Sequence, residues 1–520
     1  MALAALVALA TLLVLVVLPI ICQRCERRQR LPPGPATLPI IGNMHQMVWN
    51  KPAVFRWIHR LLKEMNTDIM CLRFGGTHVV IVTCPKIACE VLRKNDQVLA
   101  SCPAMFASIA FSFGYKGSIF SPYGEQWKKM RQVLTSEILT SSMEKKLHHL
   151  RKEECNHLVR YVNSMARPNK FVDVRHVAQH FCCNITRRLV FGKRYFSDGM
   201  PASSTGGPGQ DEVAHVAALF TALNHLYSFC VSDYFPALVG FDLEGHETVS
   251  MNAMRVDNRL HDPIIEERIR ERSTALQKGG EKKETSDFLD ALVYLEDADG
   301  QPLLSVQEIR AQAMEMMVAA VDNPSNAVEW ALAEMMNKPE VMQKAINELD
   351  MVVGKDRLVE ESDIPRLNYL KSCIREAFRL HPFHALNLPH VAMGETTIAG
   401  YTIPMNSHVI LSRLGLGRNP IIWNEPLEIR PERHLNTSNV LLTEPGLGLI
   451  SFSSGRRGCP GISLGTSITV MLFARMLQGF TWTKPPGVDS ISLHEGNASL
   501  ALAEPLALQA KPRLASHLYM

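Results

Sequence analysis

The sequence predicts one large, mainly α domain with a small β part, preceded by a single N-terminal transmembrane helix. Three observations predict it. An uncharged apolar run, Ala2 to Cys22, is followed at once by arginines. Apolar residues recur at helical spacing through most of the remaining chain, while β-rich stretches are short and confined to 73–82 and 398–411. No strong boundary after residue 36 marks a second domain, and no repeat period is present.

Taken in order, Ala2 to Cys22 is interrupted only by Thr11 and Pro19. At a helical rise it spans roughly 32 Å, enough for a hydrocarbon core. The flank that follows carries Arg24, Arg27, Arg28 and Arg30. Positive charge after the span places the body in the cytosol and the N-terminus in the lumen. A cleaved signal peptide would carry its basic residues before the apolar run, the reverse of this order. Residues 31–35, Leu-Pro-Pro-Gly-Pro, form a stiff extended hinge. The chain thus divides into an anchor with its basic flank, 1–30, and a body, 31–520.

In the body, Arg73 to Val82 is β-rich and ends at Pro85, and Lys86 to Lys94 reads as a helix. Helical patterns cover 127–191, 211–230 and 251–275, separated by polar loops at 200–210 and 277–286. A long helix is expected from Ser305 to Asn337, short strands over 398–411, and an apolar helix from about Ile462 to Phe480.

Composition excludes several classes. Net charge is +4 with dispersed basic residues, which does not suit a nucleic-acid binder. The twelve cysteines are scattered, which suits a reduced compartment rather than a disulfide scaffold. The sequons at Asn184, Asn436 and Asn497 read as chance matches in a cytosolic body. No glycine-rich dinucleotide fingerprint or phosphate loop occurs, so electrons for any redox step must come from a partner.

The most informative residue is Cys459, in the loop Phe452-Ser-Ser-Gly-Arg-Arg-Gly-Cys-Pro-Gly461 just before the last apolar helix. A cysteine at a helix N-terminus faces the positive end of the dipole, and Arg456 and Arg457 add charge that favours a thiolate. Glycines let the backbone approach a bulky partner. These are the needs of a thiolate that holds haem iron. The bland alternative is a buried structural cysteine.

The spacing Phe-x-x-Gly-x-Arg-x-Cys-x-Gly resembles the haem-binding loop of the cytochrome P-450 monooxygenases. The resemblance implies haem b with Cys459 as axial ligand beside Phe452, and electrons from NADPH through a separate flavoprotein reductase. The anchor and hinge are typical of its single-pass endoplasmic-reticulum members, which face the cytosol. Lys128, Lys129, Lys145, Lys146 and Arg456 could form a reductase-docking face or simply a solvated one. One competing motif, Gly461-Ile-Ser463-Leu-Gly465, matches a hydrolase nucleophile elbow, but no strand leads into it.

Glu376 and Arg379 share a helix face at three-residue spacing. By resemblance they join Arg433, of Pro431-Glu-Arg-His434, in a buried charged triad that fixes the cysteine loop. Trp127 and Arg131 match the family's Trp-x-x-x-Arg helix, which with Arg457 and His390 would hold the haem propionates.

Residues 319–326, Ala-Ala-Val-Asp-Asn-Pro-Ser-Asn, depart from most relatives. The threonine that assists proton delivery there aligns with Asn323, and Pro324 should free the Ala320 carbonyl and kink the helix. Such a departure also occurs in isomerase-type members. However, the run from Asp322 to Ala331, Asn387-Leu-Pro-His390 and Ser407-His-Val-Ile-Leu-Ser-Arg413 resemble the plant amino-acid N-monooxygenases that make aldoximes. The resemblance implies an L-amino acid substrate, two N-hydroxylations, then loss of water and carbon dioxide, with Asp322, Asn323 and Pro324 at the reaction site. Asn323 and Asn326 are candidates for polar substrate contacts. The product would pass to downstream enzymes of cyanogenic glucoside, glucosinolate or volatile-nitrile pathways.

Phe106, Phe111, Phe113 and Tyr115, with Phe383 and Leu386, suggest an aromatic pocket suited to phenylalanine or tyrosine. The 47–72 stretch also resembles the subgroup that includes tyrosine and phenylalanine enzymes. Two alternatives remain: a carbon hydroxylase of the same fold, and a haem-binding protein without turnover.

Overall fold

A computed structural model describes residues 30–520 apart from 169, 195–207, 278–283, 436–438 and 444. The expected anchor and all of its basic flank but Arg30 lie outside the described residues, as does Asn436. No helix among the described residues is long and apolar enough to cross a membrane.

The β-rich stretch at 73–82 is part of a hairpin. Ile69–Phe74 pairs antiparallel with Thr77–Val82, which pairs parallel with His408–Leu411. Val79 to Val82 are buried throughout, as expected of a strand covered on both faces. Each such side chain contributes about 1.5–3 kcal/mol by burial. The fourth strand, His390–Val391, lies against His408–Leu411, so residue 390 is delivered by the sheet. A second sheet joins Val172–Asp173, Ala507–Pro512 and Phe480–Thr483, and had no clear signal in the sequence.

Helices supply most of the mass, and one core runs through them. The helical pattern over 127–191 resolves into Glu125–Val133, Ser141–Lys146, His148–Met165 and Val174–Phe191, with a π-turn at Leu134–Ile138. The pattern at 251–275 is His246–Gln277. Lys86 to Lys94 divides into an α-turn from Pro85 and a π-turn from Glu90.

The expected long helix at 305–337 is two helices, Val306–Ala319 and Asp322–Asn337, rather than one kinked rod. Pro324 explains the difference. It sits in the first turn of the second helix, where an N–H has no helical partner to lose. The first helix begins with a capping box, Ser305 with Glu308, worth about 1 kcal/mol. Glu308 also accepts from Lys129 Nζ at 2.8 and 3.0 Å and from Gln126 Nε2 at 3.0 Å. One carboxylate therefore caps this helix and ties it to Glu125–Val133. Burial pushes Glu308 up, but Lys129 and the Ser305 amide outweigh it and hold the group down at about 2.

Candidate active site

A cavity of about 320 Å³ lies where these elements meet. Cys459, Pro460 and Gly461 form one wall, and Ala319, Ala320, Asn323 and Pro324 another. Trp127, Arg131, His390, Arg457 and Phe452 complete that part of the lining. The residues assigned from sequence to cofactor binding thus converge from three separate stretches of chain: 127–131, 390 and 452–459.

Cys459 follows a turn in which its N–H donates to the Phe452 carbonyl at 2.9 Å, and the helix Ile462–Gly479 begins three residues later. Gly455 makes the turn possible. Its φ is +75°, and a Cβ there would stand 2.5 Å from the Leu92 carbonyl oxygen. Burial pushes the Cys459 thiol up, while the Gly461 amide, Arg131 and Arg413 pull it down.

The basic edge is rigid. Arg131 donates to the Gly458 carbonyl at 2.7 Å, tying its helix to the cysteine loop. Arg457 donates to the carbonyls of Ile119 and Ser121 at 3.3 and 2.7 Å and to that of Ala100. Its guanidinium lies 4.8 Å from the centre of the Trp127 ring. A guanidinium has five N–H donors, so both arginines keep donors for an anion. His390 Nδ1 donates to the Leu99 carbonyl at 2.9 Å, and burial lowers its pKa, leaving Nε2 for a second partner.

Glu376 and Arg379 are fully buried and paired through 2.7 and 2.9 Å bonds. Arg433 Nε donates to Glu376 at 3.2 Å. Arg379 also donates to the carbonyls of Gly417, Pro426 and Glu428, and Arg433 to those of Asn424, Glu425 and Glu428. The geometry fits a device that shapes the 417–428 segment. It has a fourth member, His434, whose Nε2 donates to Glu376 Oε1 at 2.7 Å. Burial pushes Glu376 up, but Arg379 and His434 hold it down at about 2.

Across the cavity, Asp322 Oδ1 accepts from the Asn323 backbone N–H at 2.7 Å and side-chain amide at 3.0 Å. Burial pushes Asp322 up to about 6 against the pull of that amide and Arg413. Its Oδ2 lies 3.7 Å from His384 Nε2. Asn326 turns away: its amide donates to the His381 carbonyl at 2.9 Å, and it lines a neighbouring pocket instead.

Four sequence candidates for the substrate pocket fall outside this lining. Phe111 is wholly enclosed in the main core and Phe113 packs against it. Phe383 packs edge-on to Phe220 and His384, and Leu386 belongs to the core beside the first sheet. Residues that line the cavity include Ile119, Tyr227, Phe288, Gln312, Met316 and Arg413. No local motif distinguishes these from ordinary core residues.

Glu315 was also not evident from sequence. Its fully buried carboxylate accepts from the amides of Ser118, Ile119 and Phe120 at 2.6, 2.8 and 3.3 Å. Burial still pushes it up to about 7. This nest holds Ser118 and Ile119 on the cavity wall.

The surface cations are mostly engaged. Lys128 pairs with Glu125 at 2.7 Å, Lys129 with Glu308 at 2.8 Å, Lys146 with Glu284 at 3.0 Å and Arg456 with Asp96 at 3.2 Å. Ser463 lies in the first turn of its helix and donates to Glu144 at 2.8 Å, with no strand leading into it.

The donor set fits haem: one thiol beside a helix start, guanidinium and imidazole donors gathered at one edge, and mainly apolar walls between. The comparisons agree. The sequence matches the cytochrome P-450 family over residues 32–510. It is 57% identical to a tyrosine N-monooxygenase of Sorghum bicolor, covering 94% of this chain and 87% of that one. It is 52% identical to valine N-monooxygenase 2 of Manihot esculenta, covering 94% and 89%. A zebra fish cytochrome P-450 structure superposes with a TM-score of 0.69 at 22% identity, covering 88% of this chain and 99% of that one.

Proposed function

The chain belongs to the cytochrome P-450 family, and from that premise we propose that it converts an L-amino acid to its aldoxime. Two N-hydroxylations, each using one dioxygen, two electrons and two protons, are followed by loss of water and carbon dioxide. The observation that carries this reading is the similarity to the sorghum tyrosine N-monooxygenase over 94% of the chain. The wall of Ala319, Ala320, Asn323 and Pro324, on the same cavity as Cys459, supports it, with Asp322 behind Asn323 and outside the lining.

Haem bound through Cys459 supplies oxygen activation, with electrons delivered from NADPH by a flavoprotein reductase. The chain supplies the rest. Arg131 and Arg457 would neutralise the haem propionates, and Trp127 and His390 would orient them as uncharged donors. The Glu376 network fixes the segment that packs beneath the helix Asn368–Leu380. Asp322, pushed up to about 6 by burial, accepts from Asn323 and so orients that residue of the cavity wall. Lys128 and Lys145 remain the docking cations with fewest structural duties, since Lys129 is committed to Glu308.

The favoured substrate is aromatic. Tyr227 and Phe288 on the cavity wall and the similarity to a tyrosine enzyme support this, and the valine enzyme at 52% identity is the competing precedent. The catalytic body faces the cytosol from the endoplasmic-reticulum membrane, anchored by Ala2 to Cys22, and hands its oxime to downstream enzymes of plant defence pathways.

Reconstitution with a reductase and a mixture of amino acids tests the function. Oxime with release of carbon dioxide is expected, and a hydroxylated carbon skeleton would instead assign a carbon hydroxylase. Alkaline washing of membranes that hold the full chain tests the anchor: retention is expected, whereas release would exclude a span.

A further inference from the structure

The basic residues on the cavity wall divide into two groups. Arg131, Arg457 and His390 are tied to the carbonyls of Gly458, of Ala100, Ile119 and Ser121, and of Leu99, all at the edge assigned to the propionates. Arg413 stands apart. It opens the short helix after the strand His408–Leu411, and its Nε donates to Asn387 Oδ1 at 2.6 Å. Asn387 is itself fixed, its N–H donating to the Leu411 carbonyl at 2.9 Å.

Arg413 also bonds the Tyr227 side chain, and its field reaches Asp322, His384 and Cys459. It lines the same cavity as Cys459 and Asn323. Yet among the described residues it has no carboxylate at ion-pair distance. A half-buried guanidinium without a counter-anion is costly, and its planar fork suits a carboxylate held through two parallel bonds. With Nε committed to Asn387 and one terminal N–H to the Tyr227 side chain, three of the five guanidinium N–H donors remain for that anion.

We propose that Arg413, oriented by Asn387, binds the α-carboxylate of the substrate. The assignment rests on the amino-acid reading above and deepens it. Holding the carboxylate against the sheet edge fixes where the α-nitrogen lies and leaves the side chain to the apolar wall. The same arginine makes the site select amino acids over the amines that lack the carboxylate.

The test is equilibrium dialysis of the haem-loaded full chain with L-tyrosine, L-phenylalanine and L-valine, each against its decarboxylated amine. In the wild type the preferred acid should bind about a hundredfold or more tighter than its amine. In Arg413→Gln that preference should vanish through loss of acid binding alone, and Arg413→Lys should keep part of it. Equal binding of acid and amine by the wild type overturns the proposal without any variant. So does an Arg413→Gln protein that keeps the preference. A loss of haem from Arg413→Gln matching that of Arg131→Gln would assign Arg413 to a propionate and overturn it as well. Failure of the wild type to turn any amino acid into an oxime would instead refute the functional reading itself.

Discussion

His434 Nε2 donates to Glu376 Oε1 at 2.7 Å, which makes the buried carboxylate the shared acceptor of two arginines and one histidine. Oε2 of Glu376 also accepts from the backbone, the Arg430 N–H donating to it at 2.8 Å. Replacing His434 with Phe should remove one bond to a charged acceptor without creating a large void. We expect a loss of about 1.5–3 kcal/mol in thermal unfolding of the haem-loaded protein. Unchanged stability would show that the histidine is a bystander to the network.

Cys459→Ala should abolish the thiolate-type carbon monoxide spectrum, because Cys102, the other cysteine among the described residues of the lining, donates its thiol to the Ile119 carbonyl and has its pKa raised by burial. Difference spectra of reduced protein read this directly, and retention of the spectrum refutes Cys459 as ligand.

Gly117→Ala probes the Glu315 nest. A Cβ there would stand 2.2 Å from the Glu315 carboxyl carbon, a contact that only movement of the wall can relieve. Destabilisation by about 1–3 kcal/mol is expected, together with weaker substrate binding, since Ser118 and Ile119 shift with the loop. Wild-type melting and wild-type binding together would show that the wall does not depend on this nest.

Asp322→Asn separates storage of a proton from shape. Burial raises the folded-state pKa of Asp322 to about 6, so its protonated form stabilises the folded chain. That contribution is complete below the ordinary carboxyl range and is lost as pH rises through about 6. The asparagine variant should therefore gain stability relative to wild type between about pH 4 and pH 7, read from unfolding curves across that window. Turnover should fall by about a hundredfold if the carboxyl also delivers protons. A stability difference that does not vary with pH would remove the titration from Asp322.

The cofactor wall was legible because its residues carry chemistry in short, fixed spacings. Cys459 with its glycines, Trp127 with Arg131, and Glu376 with Arg379 are each defined within one turn or one loop. Pro324 announced a break in the long helix, although the chain starts a new helix there instead of bending the old one. His434 bonds Glu376 across 58 residues, and no local pattern predicts it. The aromatic candidates failed as a lining for a related reason. Phe111 and Phe383 are apolar at the same spacing as pocket residues, and only packing decides which cavity a ring faces.

The sequence by itself determined the cofactor, the mainly α fold and a disturbance of the long helix at Pro324, though not its division into two helices, because each follows from short-range backbone and side-chain chemistry. Tertiary structure alone decided which surfaces close around the cavity. Glu315 meets Ser118 across 197 residues, Lys129 meets Glu308 across 179, and Arg457 meets Ser121 across 336. Contacts at such separations are set by how whole helices and sheets pack. Burial and neighbouring charges then decide the charge of a group, burial prevailing at Asp322 and the bonds from Arg379 and His434 prevailing at Glu376.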